Sequence, residues 1–124
     1  MANIAPLILH CTERATWDAA VKAGRYVAPS LAASGFIHFS APGQVLEVAN
    51  RLFRGQSGLV LLCVDPARLR NEVRYENTEG GQELFPHGYG PVNLDAVVDV
   101  VEFPCDPDGT FRMPASLARR PAGF

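Results

Sequence analysis

At 124 residues the chain has the length of one ordinary domain, with 48% apolar residues to fill a core. A formal charge of −2, one lysine (Lys22) and arginines grouped only at Arg68, Arg70, Arg74 and at Arg119, Arg120 argue against a nucleic-acid partner. No run approaches the roughly 20 apolar residues of a membrane span, and three cysteines without framework spacing fit reduced thiols, so a cytoplasmic chain is expected.

Met1 to Cys11 lacks a positive n-region and a small-residue cleavage site, and it reads as a strand rather than a signal peptide. Within it, Ile4 to Cys11 is a continuous apolar run, the mark of a strand covered on both faces. Thr12 offers an N-cap to a helix whose stripe is Trp17, Ala20 and Val21, and Gly24 supplies its stop. Arg25 to Ala28 reads as a short strand ended by Pro29, and Ser30 to Ala33 as a turn of helix. A second strand covers Phe36 to Phe39. Ser40 is then expected to cap a helix with Pro42 in its first turn.

In that helix Val45, Val48, Ala49, Leu52 and Phe53 form a complete buried stripe, with Glu47 and Arg51 as an i,i+4 pair on the wet side. Leu59 to Val64 is another buried strand, closed by Asp65–Pro66, and Val73 to Glu76 is a strand of alternating polarity. Asn77 to Pro91 is dense in glycine and proline and reads as one long functional loop. Leu94 to Phe103 is the last strand. Residues 1–103 are thus expected to form the α+β domain, and 104–124 a C-terminal tail, extended or partly disordered.

Two histidines occupy matched settings, Leu9-His10-Cys11-Thr12 and Ile37-His38-Phe39-Ser40. Strand side chains alternate, so His10 shares a face with Thr12, and His38 with Ser40. If each strand end feeds a helix N-terminus, the two together make a polar pocket that tolerates anions. The third histidine follows in Glu83-Leu84-Phe85-Pro86-His87, where an extended backbone would aim Glu83, Phe85 and His87 the same way. A carboxylate, an aromatic face and an imidazole can orient a ring-bearing ligand. Each residue also has a structural reading: histidines as buried hydrogen-bonders, Thr12 and Ser40 as caps, Glu83 as a solvated acid.

Other chemistries fit worse. The chain has no GxSxG elbow and no Walker-type phosphate loop. Cys11 should face away from His10, which disfavours a Cys–His nucleophile. No metal is expected, because close-spaced ligand pairs are missing, and a three-histidine zinc site would need tertiary convergence.

The segments Leu9 to Thr12, Trp17, Gly35 to Ser40, Ala49-Asn50-Arg51 and Arg54-Gly55 follow a pattern that resembles a bacterial and plant family known as domain of unknown function 952. Leu61-Leu62, Val64-Asp65-Pro66, Glu83 to His87 and Tyr89-Gly90-Pro91 extend the match to most of the chain before Pro104. The resemblance implies a fold similar to the ADP-ribosyltransferases: a split, bent, mostly antiparallel sheet with two main helices, gripping NAD in a cleft. It implies that His10 and Thr12 contact the ribose side, and that His38 and Ser40 pack the nicotinamide; Phe85 and Tyr89, the aromatics of the glycine-rich stretch, are expected to add to the binding site. His10, His38 and either Glu83 or His87 would be the catalytic set. The rival expectation is a non-enzymatic module that binds a nucleotide or a phosphorylated metabolite in the same pocket.

Overall fold

The apolar run near the start of the chain becomes strand β1 (Ile8–Glu13) in the computed structural model, which describes residues 7–118. Ile4 to Pro6, also expected in that strand, lie outside the described residues. β1 pairs antiparallel with β4 (Leu59–Val64), from Ile8 opposite Val64 to Glu13 opposite Leu59. β8 (Val97–Glu102) completes this sheet on the other side of β4. Every residue of β4 is buried, as a continuous apolar run in a central strand demands. Alternation along β4 divides the core. Val60, Leu62 and Val64 join Ile8, Tyr26, Ile37 and Phe39 on one face, while Leu59, Leu61 and Cys63 join Leu9, Val45 and Ala49 on the other.

Thr12 does not cap a helix. It lies within β1 opposite Val60, because β4 offers Thr12 and Glu13 two further ladder partners. Helix α1 (Arg14–Ala23) begins without a side-chain cap, and Gly58 satisfies the Arg14 N–H at 2.9 Å. Of its expected stripe, Ala20 is buried and Trp17 packs on the core, whereas Val21 is 51% exposed. Gly24 closes the helix at φ +87°, a left-handed geometry that a Cβ would strain.

The next strand is short, β2 (Arg25–Tyr26), and it pairs with β7 (Val92–Asn93). Helix α2 (Pro29–Ser34) starts on Pro29, where the missing N–H has no partner to lose. β3 (Ile37–His38) leads to Ser40, which is not the expected helix cap. Its N–H and carbonyl exchange bonds with Leu9 at 2.7 and 2.8 Å, stitching β1 to the chain that leaves β3. Helix α3 (Val45–Leu52) therefore begins only after the turn that holds Pro42. Val45 and Ala49 are buried beneath it, but Leu52 is 59% exposed.

The stretch from Asn77 to Pro91 is not one long loop. It contains β6 (Phe85–Gly88), the central strand of a sheet ordered β3, β6, β5, with β5 at Val73–Glu76. Pro86 is tolerated there because its carbonyl takes the Phe39 N–H at 3.0 Å, and its absent N–H falls on that same side, where β3 has already ended. Gly88 lies so close under Phe39 that a Cβ would come within 2.8 Å of the ring. All strand pairs among the described residues are antiparallel, and the domain is α+β with α1 and α3 as its long helices.

The segment after Pro104, expected to be an extended or partly disordered tail, packs onto the domain as far as Ala118. Phe111 stacks on Phe103 with centroids 4.6 Å apart, and helix α4 (Ala115–Ala118) buries Leu117 completely. These two apolar anchors sit too far apart in a turn-rich stretch to show a periodic pattern. Residues 119–124 lie outside the described residues. No helix among the described residues is long and apolar enough to cross a membrane.

Candidate functional site

β1 presents His10 and Thr12 on one face, and β2 brings Tyr26 against both. His10 Nδ1 is 2.6 Å from the His38 carbonyl oxygen, and Nε2 is 2.7 Å from the Tyr26 hydroxyl. The Tyr26 hydroxyl is in turn 3.1 Å from Thr12 Oγ1. Burial pulls the His10 pKa down to about 4, against the opposing His38 carbonyl and with the His38 ring adding to the fall. The imidazole is therefore neutral near pH 7. A carbonyl can only accept, so the single ring proton sits on Nδ1 and Nε2 accepts from the Tyr26 O–H. The Tyr26 oxygen then takes the Thr12 hydroxyl proton. Both nitrogens of His10 thus serve the protein itself. Tyr26 is one residue of this cluster that sequence reasoning missed; an aromatic in a two-residue strand carries no signal of its own.

The sheet of β3, β6 and β5 sets His87 opposite His38 on one side and Arg74 on the other. The His38 and His87 rings meet edge to face, with centroids 5.3 Å apart. Phe36 stacks on His87 at 4.2 Å and contacts the His38 ring at 4.8 Å. His87 is buried, and its Nδ1 lies 3.2 Å from Glu76 Oε1. The same carboxylate accepts the Tyr89 hydroxyl, and these two hydrogen bonds hold Glu76 below the usual carboxylate range. The Arg74 guanidinium sits 4.6 Å over the Tyr89 ring. His38 is exposed overall, yet desolvation of its ring and the neighbouring His87 depress its pKa, with Glu79 acting the other way.

A cavity of about 510 Å³ joins these groups, with His10, His38 and His87 all in its lining. Thr12, Ser40 and Phe85 line it too, and Val45, Val48, Ala49 and Leu52 of α3 form an aliphatic wall. At its open side Arg51 and Glu79 stand 3.9 Å apart, both more than half exposed. Arg51, expected to pair with Glu47 along the helix, reaches across to this partner instead.

Two expected site residues lie elsewhere. Glu83 lines a neighbouring pocket of about 240 Å³, where its carboxylate takes a hydrogen bond from Gln44 Nε2 at 3.0 Å. The strand begins only at Phe85, so alternation does not carry Glu83 onto the His87 face. Tyr89 stands behind His87, on the Glu76 carboxylate. Cys11 packs against the opposite core from His10 although it also borders the cavity, and burial pushes its thiol up to about 12, which disfavours the thiolate. Among the described residues no group of three or more His, Cys, Asp or Glu side chains is placed to hold a metal ion.

A family model described as "Protein of unknown function (DUF952)" matches residues 11–100. No curated protein matches the chain. Among solved structures, the crystal structure of protein CC0527 from Caulobacter crescentus is 39% identical, with a TM-score of 0.81 over 90% of this chain and 98% of that one. The solution NMR structure of CC0527 from the same organism gives 38% identity and a TM-score of 0.78, covering 92% of this chain and 98% of that one.

Proposed function

The chain belongs to the DUF952 family, and we propose that its cavity binds a nucleotide-like ligand, with NAD the specific candidate. The observation that carries this reading is the meeting of His38 and His87, with His10, Thr12 and Ser40, in a cavity of about 510 Å³ that α3 lines with aliphatic side chains. That is the make-up of a site for a flat ring with a polar substituent: apolar walls supply affinity and a few convergent groups fix orientation. Phe85 offers a face for stacking, the imidazoles suit ribose hydroxyls or a carboxamide, and Arg51 at the opening suits a phosphate.

The resemblance to ADP-ribosyltransferases adds both a fold relation and a reaction to the proposal. In that reaction an ADP-ribosyl group leaves nicotinamide, and a carboxylate stabilises the positive charge that builds at the ribosyl carbon. Glu13 and Glu79 line the main cavity and Glu83 the adjoining pocket; Glu79, whose charge acts on the His38 ring, and Glu83, the residue expected from the sequence, are the carboxylates put to the test. The second reading, binding without turnover, is favoured by one observation: both His10 nitrogens are engaged internally.

Calorimetry with NAD tests the binding. Saturable heat at sub-millimolar ligand is expected, and no heat at millimolar NAD with folded protein would end the NAD reading. Nicotinamide release then separates the two readings. Transfer predicts release that falls at least tenfold in Glu79→Gln or Glu83→Gln, whereas a binding module predicts none from any variant.

A further inference from the structure

We propose that Glu76 and His87 form a proton-accepting dyad, in which His87 Nε2 takes the proton of a hydroxyl brought into the cavity and Glu76 holds the ring for it. The proposal rests on the reading that the cavity receives a hydroxyl-bearing ligand. His87 lines the cavity while only 2% exposed, so its access is to the cavity and not to the general surface. An ionised carboxylate only accepts, so the 3.2 Å contact from Nδ1 to Glu76 Oε1 places a proton on Nδ1, and in the neutral ring that the proposal requires the lone pair is then on Nε2.

The ring cannot turn away from this task easily. Phe36 lies flat against it, with the planes 18° apart, and the His38 ring abuts it edge to face. Glu76 is itself fixed by the Tyr89 hydroxyl, and Arg74 covers the Tyr89 ring. The charged and titratable groups around His87 are thus Glu76 and Arg74 from β5, His38 from β3, and Tyr89, with Glu79 acting on the neighbouring His38 ring. His10 cannot substitute, since neither of its nitrogens is free. A carboxylate-oriented imidazole of this kind is the usual arrangement for a general base.

In transfer from NAD the balance is simple. The hydroxyl proton moves to Nε2, and the oxygen's electron pair forms the new bond to the ribosyl carbon. The bond from that carbon to nicotinamide breaks, and its pair stays on the ring nitrogen, which becomes neutral. Glu76 remains ionised throughout and acts as a positioning residue.

Two measurements on the ligand-free protein test the dyad independently of NAD. Long-range ¹H–¹⁵N correlation should show His87 protonated on Nδ1 and bare on Nε2; the opposite tautomer overturns the proposal. Carbethoxylation by diethyl pyrocarbonate at pH 8, mapped by peptide mass, should modify His87 and spare His10. Glu76→Gln, whose amide can donate to Nδ1 and move the proton to Nε2, should slow His87 modification at least fivefold, and Glu76→Asp should restore part of the rate. Unchanged rates in both variants overturn the dyad. If both tests succeed while NAD fails to bind, the ligand assignment is wrong and the dyad stands. If Glu76→Gln does not fold, the wild-type tautomer and Glu76→Asp still decide.

Discussion

Replacing Tyr26 with Phe removes one buried oxygen and leaves the ring in place. Tyr26 is 1% exposed, and its hydroxyl links His10 Nε2 at 2.7 Å to Thr12 Oγ1 at 3.1 Å. Two neutral hydrogen bonds at about 1 kcal/mol each are lost, and the buried Thr12 hydroxyl is stranded at a further cost of about 1 kcal/mol. Water reaching Nε2 from the cavity offsets part of this, which gives an expected loss of about 2–3 kcal/mol. For a domain of this size the melting temperature should fall by about 8–12 °C. Urea unfolding followed by Trp17 fluorescence measures the loss directly. A double-mutant cycle with the isosteric Thr12→Val should return a coupling of at least about 0.5 kcal/mol between the two sites. A Tyr26→Phe protein within about 0.5 kcal/mol of wild type, the range of a neutral surface change, would refute the claim that this hydroxyl organises His10.

Acid should destabilise the protein through His10 in a defined window. Its folded pKa of about 4 lies below the 6.5 of a free imidazole, so between those values the unfolded chain binds the proton first. The contribution is complete above pH 6.5 and is lost as pH falls toward 4, at up to about 1.4 kcal/mol per pH unit. Urea midpoints across this range should fall less steeply for His10→Gln than for wild type; parallel lines would remove His10 as the cause. Leu117→Ala should cost about 2–4 kcal/mol in the same assay, since Leu117 is fully buried, and a negligible change would mean that the C-terminal segment is not part of the core. Leu52→Glu puts a charge on the cavity wall at a position 59% exposed, so stability should stay within about 0.5 kcal/mol while calorimetric NAD affinity drops at least tenfold. Undiminished affinity would place the ligand elsewhere.

The parts of the fold written in local apolar pattern were legible. β4 runs from Leu59 to Val64 as its unbroken apolar run requires, and α3 buries Val45 and Ala49 as its periodicity requires. The misreadings came where a distant strand outcompetes a local preference. Thr12 and Ser40 have the chemistry of helix caps, but β4 claims the first and Leu9 the second, and neither partner is visible within a short window. The glycines and prolines of Asn77 to Pro91 read as a loop, yet β6 forms there, with Pro86 at the position beside the end of β3 where its missing N–H loses little. Leu52 belongs to the helical stripe by spacing but faces the cavity opening, because a stripe wider than the core contact leaves its margin uncovered.

The site followed the same logic. The alternation of β1 was enough to place His10 beside Thr12, and their common partner Tyr26 came from a strand too short to announce itself. The nearness of His38 and His87 depends on the β3–β6 register, a tertiary fact. Glu76 ended a strand of alternating polarity and drew no notice, because only the fold reveals that β5 runs beside His87.

An amide ¹H–¹⁵N titration of the full chain with NAD tests the central claim most directly. Shifts that saturate and cluster at His38, Ser40, Ala49, Phe85 and His87 are the expected result, since these positions ring one cavity. A spectrum unmoved at millimolar NAD, or shifts gathered on the outer face of β8, would contradict it.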